Sequence, residues 1–446
     1  MLTLNTNNPY HFLLVHCNEY KNGASLILSL HCINALANEF PNSKISFLLH
    51  SSMQDFFHNN PHIHKIFCID TDPNLAKSLK NAKINISLSL VADKKSTIAL
   101  FRAGIKARIG VFSHFYSLLF NYKIKQKRTL NNKHEAEYNF DLLRFLQCKQ
   151  FIYPKLYLKL SDIATAQEII AQKFDTDLDT SYIAICPSYG LQELGWKSRH
   201  FFTIANAIAK FHNVLILAPI DEMQGYQAML SQFPNLSQKN LFSSTAQDST
   251  TKTNTITQIL ALIHLSSLFI ANNNTLLHAA AALDTSTFSI FPYKNTINPH
   301  RYAPISQNKK HVICTPFGLF NPKDSHEYSD YGLNMDSITP DIVLAILQAK
   351  FFLDERILLQ NLNTPISQAD TESNTDIIQD SNNLQNSKIT QDSINTKDSK
   401  YASNSANLQD SKNLQDSKTT QPNQRLDITE SSLTYTRQAS IIDERG

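Results

Sequence analysis

Glycine is scarce in this sequence: nine residues in a chain of 446. That argues against an enzyme built on a glycine-rich phosphate loop. Cysteine is also little used. The six cysteines, Cys17, Cys32, Cys68, Cys148, Cys186 and Cys314, form no C-x-x-C pair and mostly sit in apolar runs such as Ile183-Ala-Ile-Cys186. A disulfide framework and a zinc site are both disfavoured. The sequence does not begin with a basic segment followed by a long apolar one, so no signal peptide is expected. The longest apolar helical stretch, 259–271, is interrupted by His264, Ser266 and Ser267. It falls short of the roughly 20 apolar residues that span a bilayer. A cytoplasmic location is the expectation. Strong net charge is missing as well: the total of +3 is the balance of +7 in residues 1–361 and −4 in residues 362–446, where 12 acidic side chains face 8 basic ones. A mildly basic body suits an anionic ligand or a membrane surface and is too weakly charged to indicate nucleic acid.

Hydrophobic residues make up 42% of the chain, and its length predicts two domains. Short apolar strands alternate with helical patterns. Strands are expected at 12–15, 45–49, 66–69, 84–90 and 108–112, with helices over 24–39, 73–82 and 93–103. A basic run follows, with Lys123, Lys125, Lys127, Arg128, Lys133 and His134, and then a helix from Glu135 to Leu146. The alternation restarts with strands at 182–186, 214–218, 268–271 and 287–291 and helices at 198–211, 221–231, 256–266 and 278–283. A last amphipathic helix is expected over 341–358. This βαβ pattern predicts an α/β fold with two doubly wound, Rossmann-like domains, 1–160 and 161–361, facing a cleft. Residues 362–446 are dominated by Asn, Gln, Ser, Asp, Thr and Lys, with near-repeats at 407–412 and 413–418. Such a composition predicts a disordered tail.

Three segments carry candidate chemistry. The first, 15–25, is the turn after the opening strand, where doubly wound sheets bind ligands; an ordinary connecting loop explains it equally well. The second runs from Cys186-Pro-Ser-Tyr-Gly190 to Phe201, with Ser198 as the expected helix cap and Lys197 beside it. Trp196, the single tryptophan, is more simply a packing residue than a stacking platform. The third, Asn272-Asn273-Asn274-Thr275-Leu276-Leu277-His278, places polar side chains at a helix start, which suits a pyrophosphate. A histidine on so apolar a helix is as readily a core residue.

In order and spacing these segments resemble glycosyltransferase family 9, the ADP-heptose:lipopolysaccharide heptosyltransferases, over about residues 11–350. Gly23 and Phe40-Pro41 match the first motif. His134, Asn139, Leu142 and Leu143 match a His-x-x-x-x-Asn-x-x-Leu-Leu helix. Pro187-Ser188 through Trp196 and Phe201, residues 273–283, and Pro292 to Pro299 follow in order. The resemblance implies a GT-B architecture, no tightly bound metal and no other cofactor. It also implies transfer of a sugar from a nucleotide-diphosphate donor, ADP-heptose, to the lipopolysaccharide core, with peripheral contact at the inner membrane. It places the nucleotide sugar on Ser188, Glu222, Asn273, Asn274, Thr275, Leu276 and His278, and the acceptor on Lys123, Lys125, Lys127, Arg128 and His134. The diphosphate is expected where amide dipoles converge at 188–198 and 273–278, facing the other lobe across an open gap.

Three positions depart from the family pattern. Its catalytic Asp is Ala24, its phosphate-contacting Lys is Leu194, and its Asp-(Ser/Thr)-Gly run is Asn273-Asn274-Thr275. Lys197 then becomes the nearest cation for the leaving group. Glu19 becomes the surrogate base, with His16 and Asp93 as weaker choices. A catalytically inactive relative that binds a sugar nucleotide or serves as a scaffold is the competing expectation. A UDP-sugar donor is a further one.

Overall fold

The computed structural model describes residues 2–17, 23–91, 93–178, 180–188, 195–219, 221–243, 255–292, 294, 297–323 and 334–351. Glu19, Leu194 and the segment 362–446 lie outside the described residues.

The first half runs β1 (His11–Val15), α1 (Ala24–Leu28), α2 (Leu30–Glu39), β2 (Lys44–Leu49), β3 (Lys65–Cys68), α3 (Leu75–Asn81), β4 (Ile86–Ser89), α4 (Lys94–Arg102), β5 (Ala107–Val111), β6 (Tyr122–Ile124) and α5 (Glu135–Arg144). Its six strands form a parallel sheet in the order β3-β2-β1-β4-β5-β6. Helices cover both faces, so β1 is apolar at nearly every position and Phe12, Leu13, Leu14 and Val15 are all buried. The helix read over 24–39 is two helices. Ser29 joins them, its hydroxyl donating to Leu26 O at 2.6 Å inside the core, a side-chain bond of the kind that competes with a continuous helix.

The second half runs α6 (Leu160–Phe174), β7 (Tyr182–Cys186), α7 (Ser198–Ile208), β8 (Asn213–Leu217), α8 (Met223–Met229), β9 (Leu241–Phe242), α9 (Thr255–Leu265), β10 (Leu268–Asn272), α10 (Thr275–Ala282), β11 (Thr287–Ile290), α11 (Pro299–Tyr302), β12 (His311–Thr315), β13 (Gly318–Leu319) and α12 (Pro340–Phe351). Its sheet has the order β13-β12-β11-β10-β7-β8-β9, parallel except for the β12–β13 hairpin. Helix α6 was not anticipated, although Ala166, Ile170 and Phe174 fall on one buried stripe. Strands β6, β9, β12 and β13 were also missed; two to five residues give periodicity little to act on. The expected helix over 341–358 is described only as far as Phe351.

Each sheet reverses its strand order once, between β1 and β4 in the first and between β7 and β10 in the second. Ligands of open α/β sheets bind at the carboxyl ends of strands flanking such a reversal. The two lobes touch directly along α1 and α10. Helix α10 is mostly apolar and every residue, Thr275 and His278 included, is buried, as expected of a helix enclosed by both lobes. The approach is close at Gly23. A Cβ there would lie 2.7 Å from Thr275 Cγ2 and 2.9 Å from Met53 Cε, so any larger residue would force these side chains to shift. The open gap expected opposite 273–278 is therefore closed at the first turn of α10.

Candidate active site

The second lobe draws its two polar loops together through asparagines. Asn272, 2% exposed, accepts from Trp196 N through Oδ1 at 2.9 Å and donates from Nδ2 to Pro187 O at 3.2 Å and to Trp196 O at 3.1 Å. Asn274 caps α10, its Oδ1 accepting from Leu277 N at 3.0 Å, while Nδ2 donates to Ser188 O at 3.3 Å. The loops after β7 and β10 thus form one surface. Beside them Ser188 Oγ donates to Glu222 Oε1 at 2.7 Å, and the Tyr226 hydroxyl donates to the other carboxylate oxygen. Burial, reinforced by the Glu222 charge, pushes the Tyr226 phenol far up, so it remains a donor. Glu222 is half-buried, and a carboxylate fixed in this way can accept bonds from a vicinal diol such as a ribose.

Other predicted donor residues are placed differently. Asn273, Thr275, Leu276 and His278 are all buried. His278 Nε2 lies 3.1 Å from Asn273 Oδ1, and burial depresses its pKa to about 3. It is a neutral core histidine. Lys197 takes the cap position of α7 in place of Ser198, without a side-chain cap bond. Its ammonium lies 3.1 Å from Asp336 Oδ1, and both side chains are about half exposed. Trp196 is fully buried, with Nε1 donating to Ile338 O at 2.6 Å, and so packs.

In the first lobe, Ala24 opens α1. His16 is buried, with Nε2 3.1 Å from Ser25 Oγ and its pKa depressed to about 4 by burial. A side chain with no accessible surface cannot take a proton from a bound sugar in this arrangement. Asp93 follows β4 across the strand reversal. Its Oδ2 accepts from Ser96 N at 2.6 Å as the cap of α4, and the residue is partly exposed. Asp93 stands just after the carboxyl end of β4.

The predicted acceptor cations divide. Lys123, Lys125 and Lys127 are exposed. Arg128 points inward: Nη1 meets Glu135 Oε1 at 2.6 Å, Nη2 donates to Leu90 O at 3.0 Å, and Nε donates to Gln126 Oε1 at 2.9 Å. His134 is engaged at both ring nitrogens. Nδ1 accepts from Ala136 N at 3.2 Å, and Nε2 donates to Ala303 O in the second lobe at 2.9 Å. Neither residue is turned outward to an acceptor.

Sequence reasoning missed the group that joins the lobes here. Glu135, 2% exposed, is held between Arg128 and Arg301, whose Nε donates to Oε2 at 2.9 Å. Burial alone would raise the Glu135 carboxyl, but the two guanidiniums hold it below its ordinary value. Arg301 is correspondingly raised against the burial that would lower it. The sequence signal was faint: an acid in the first turn of a predicted helix, and an arginine 166 residues away.

Two doubly wound lobes meeting along the helices that follow β1 and β10 define the class, a GT-B glycosyltransferase fold. The sequence model of glycosyltransferase family 9 (heptosyltransferase) matches residues 73–319, more than half of the chain. The chain belongs to that family. A Haemophilus influenzae relative, named provisionally as a glycosyltransferase, is 23% identical over 281 residues, 61% of this chain and 75% of that protein. Among solved structures, a family 9 glycosyltransferase from Veillonella parvula superposes with a TM-score of 0.62 at 12% identity, covering 79% of this chain and 97% of that one. The E. coli ADP-heptose lipopolysaccharide heptosyltransferase II gives 0.59 at 16% identity, covering 79% and 99%. At such identities the likeness establishes the fold.

Proposed function

We propose that the protein transfers a heptose from ADP-heptose to the lipopolysaccharide core. The observation that carries this is the joined loop pair of the second lobe, where Asn274 links α10 to Ser188 and Ser188 orients Glu222. In this reading Glu222 accepts from the ribose hydroxyls of the donor. The diphosphate lies toward the 188 and 274 loops, where backbone dipoles and the Ser188 and Asn274 side chains stabilise the charge that develops as the nucleotide departs. Because α1 closes on Thr275, donor entry requires the lobes to part at Gly23, with Thr275, Leu276 and Asn273 then available to the phosphates. Related structures are named for ADP-heptose or with ADP bound, which supports adenine as the base. The reaction breaks the anomeric carbon–oxygen bond to the diphosphate and forms a new one to an acceptor hydroxyl. That proton goes to a carboxylate, either Asp93, just after the carboxyl end of β4, or Glu19. Lys123, Lys125 and Lys127 attract the phosphates of the acceptor.

A second reading is a sugar-nucleotide-binding relative without turnover; Ala24, at the start of α1, favours it. A transfer assay with purified protein, ADP-heptose and a truncated core acceptor separates the two. Turnover abolished by Asp93→Asn or Glu19→Gln supports the enzyme. Saturable ADP binding with no transfer identifies the relative.

A further inference from the structure

Residues 94–134 contain ten Lys and Arg and no Asp or Glu. Within this stretch the crossover from β5 to β6 is firmly seated yet leaves large apolar side chains in solvent. Phe120 is buried, and its ring occupies the space a Cβ at Gly110 would need, 2.4 Å away. Ser117 is buried too. Its backbone N donates to His114 O at 3.0 Å, and its hydroxyl accepts from His114 N at 2.9 Å. Against this anchored turn, Phe115 is 88% exposed, Leu118 53% and Phe112 41%. Leu130, after β6, is 61% exposed. Phe112 N donates to Ile124 O at 2.9 Å, which sets Phe112 beside the edge strand that carries exposed Lys123, with exposed Lys125 and Lys127 just after it. No ion pair engages these three lysines among the described residues.

We propose that the 112–130 face docks on an anionic phospholipid bilayer, with Phe115 and Leu118 entering the interface and Lys123, Lys125 and Lys127 meeting the headgroups. Lysines on an edge strand also discourage sheet-to-sheet pairing, which accounts for Lys123 and Lys125 but not for a phenylalanine held outside on a rigid turn. An apolar tip on a segment rich in Lys and Arg, with Asp93 as the acid near enough to act on Tyr116, matches a surface whose headgroups are negative and whose interior is hydrocarbon. Leucines at two of the four apolar positions do not provide the aromatic stacking that single-stranded nucleic acid uses. The inference extends the proposed reaction from the acceptor's phosphates to the surface that anchors it. Its test needs no turnover, so the two proposals fail separately.

The test is sedimentation of the full-length protein with vesicles of phosphatidylcholine, with or without phosphatidylglycerol. The wild type is expected to pellet with phosphatidylglycerol vesicles and to be released as salt rises. Lys123→Glu/Lys125→Glu/Lys127→Glu is expected to lower the partition coefficient by at least about 100-fold, at roughly five-fold per lost lysine. Phe115→Ser/Leu118→Ser is expected to lower it by about ten-fold or more, with an unchanged far-ultraviolet spectrum and melting temperature. Phe115→Trp is expected to shift its emission to the blue when vesicles are added, against the buried Trp196. A wild type that stays in solution overturns the proposal, and so does binding unaffected by both multiple variants. If Phe115→Ser/Leu118→Ser instead converts a dimer to a monomer, a second copy covers the face and the proposal is likewise overturned.

Discussion

At the strand reversal of the second lobe, Asn272 and Asn274 bind neighbouring loops to one another, and Ser188, Glu222 and Tyr226 form a hydrogen-bonded chain beside them. At the strand reversal of the first lobe the chain passes Gly23 and Ala24 into a helix whose Leu26, Ile27 and Leu28 are buried, and the nearby His16 is sealed inside. Among the described residues, the feature is a hydrogen-bonded polar chain in the second lobe, and in the first it is the buried start of α1 with Asp93 capping α4 across the reversal. The contrast leaves the second lobe with connected polar loops and the first with an alanine, Ala24, at its helix start. A buried charge bridge, Arg128–Glu135–Arg301, ties the first lobe to the second.

The contrast is sharpest at the missing base. Asp93→Asn is expected to reduce turnover by about 10²–10⁴-fold if Asp93 takes the proton, with the donor KM little changed; Glu19→Gln, measured in the same transfer assay, is the counterpart that would reverse the assignment. Next is Glu135→Ala, which leaves two buried guanidiniums without a partner. A loss of about 3–5 kcal/mol in urea unfolding is expected; a loss below about 1 kcal/mol would mean that the bridge does not hold the lobes together. Asn272→Ala removes three bonds to buried backbone groups. About 1–3 kcal/mol should be lost, together with nucleotide affinity, whereas Asn38→Ala, on the exposed end of α2, should change neither.

Acid tests both lobes at once. His16 and His278 are buried and neutral, with pKa values of about 4 and 3, whereas the unfolded chain takes up these protons near 6.5. The unfolded state therefore binds more protons over this window. Stability is undiminished above pH 6.5 and falls as pH drops toward 4, by about 1.4 kcal/mol per histidine per pH unit. Unfolding at stepped pH values should show that slope for the wild type and a shallower one for His278→Phe. An unchanged slope in the variant would show that His278 is not a buried neutral group.

Much of the fold could be read in the sequence because parallel strands covered on both faces are continuous apolar runs: Phe12-Leu-Leu-Val15 and Ile183-Ala-Ile-Cys186 became β1 and β7. Helix α6 was passed over because its stripe lay next to an extended connector, and the edge strands were too short to show alternation. The loops of the donor side were also legible, since a strand followed by Pro-Ser or by Asn-Asn-Asn-Thr marks a turn at a sheet edge. Which of their side chains face outward was not. Thr275 turns inward where α1 packs on α10, a contact between residues some 250 apart in sequence, His278 is buried on the same helix, and Lys197 pairs with Asp336. The Glu135–Arg301 pair depends on the same long-range packing, and no local pattern encodes it.

We propose that a nucleoside diphosphate binds the second lobe where Ser188 and Glu222 stand beside Asn274. Calorimetric titration of ADP into the wild type and into Glu222→Ala tests it directly. Saturable binding by the wild type and affinity at least about ten-fold weaker in the variant, from the loss of a charge-assisted acceptor, is the expected result. Equal affinity in both proteins, or no binding by the wild type, would contradict it.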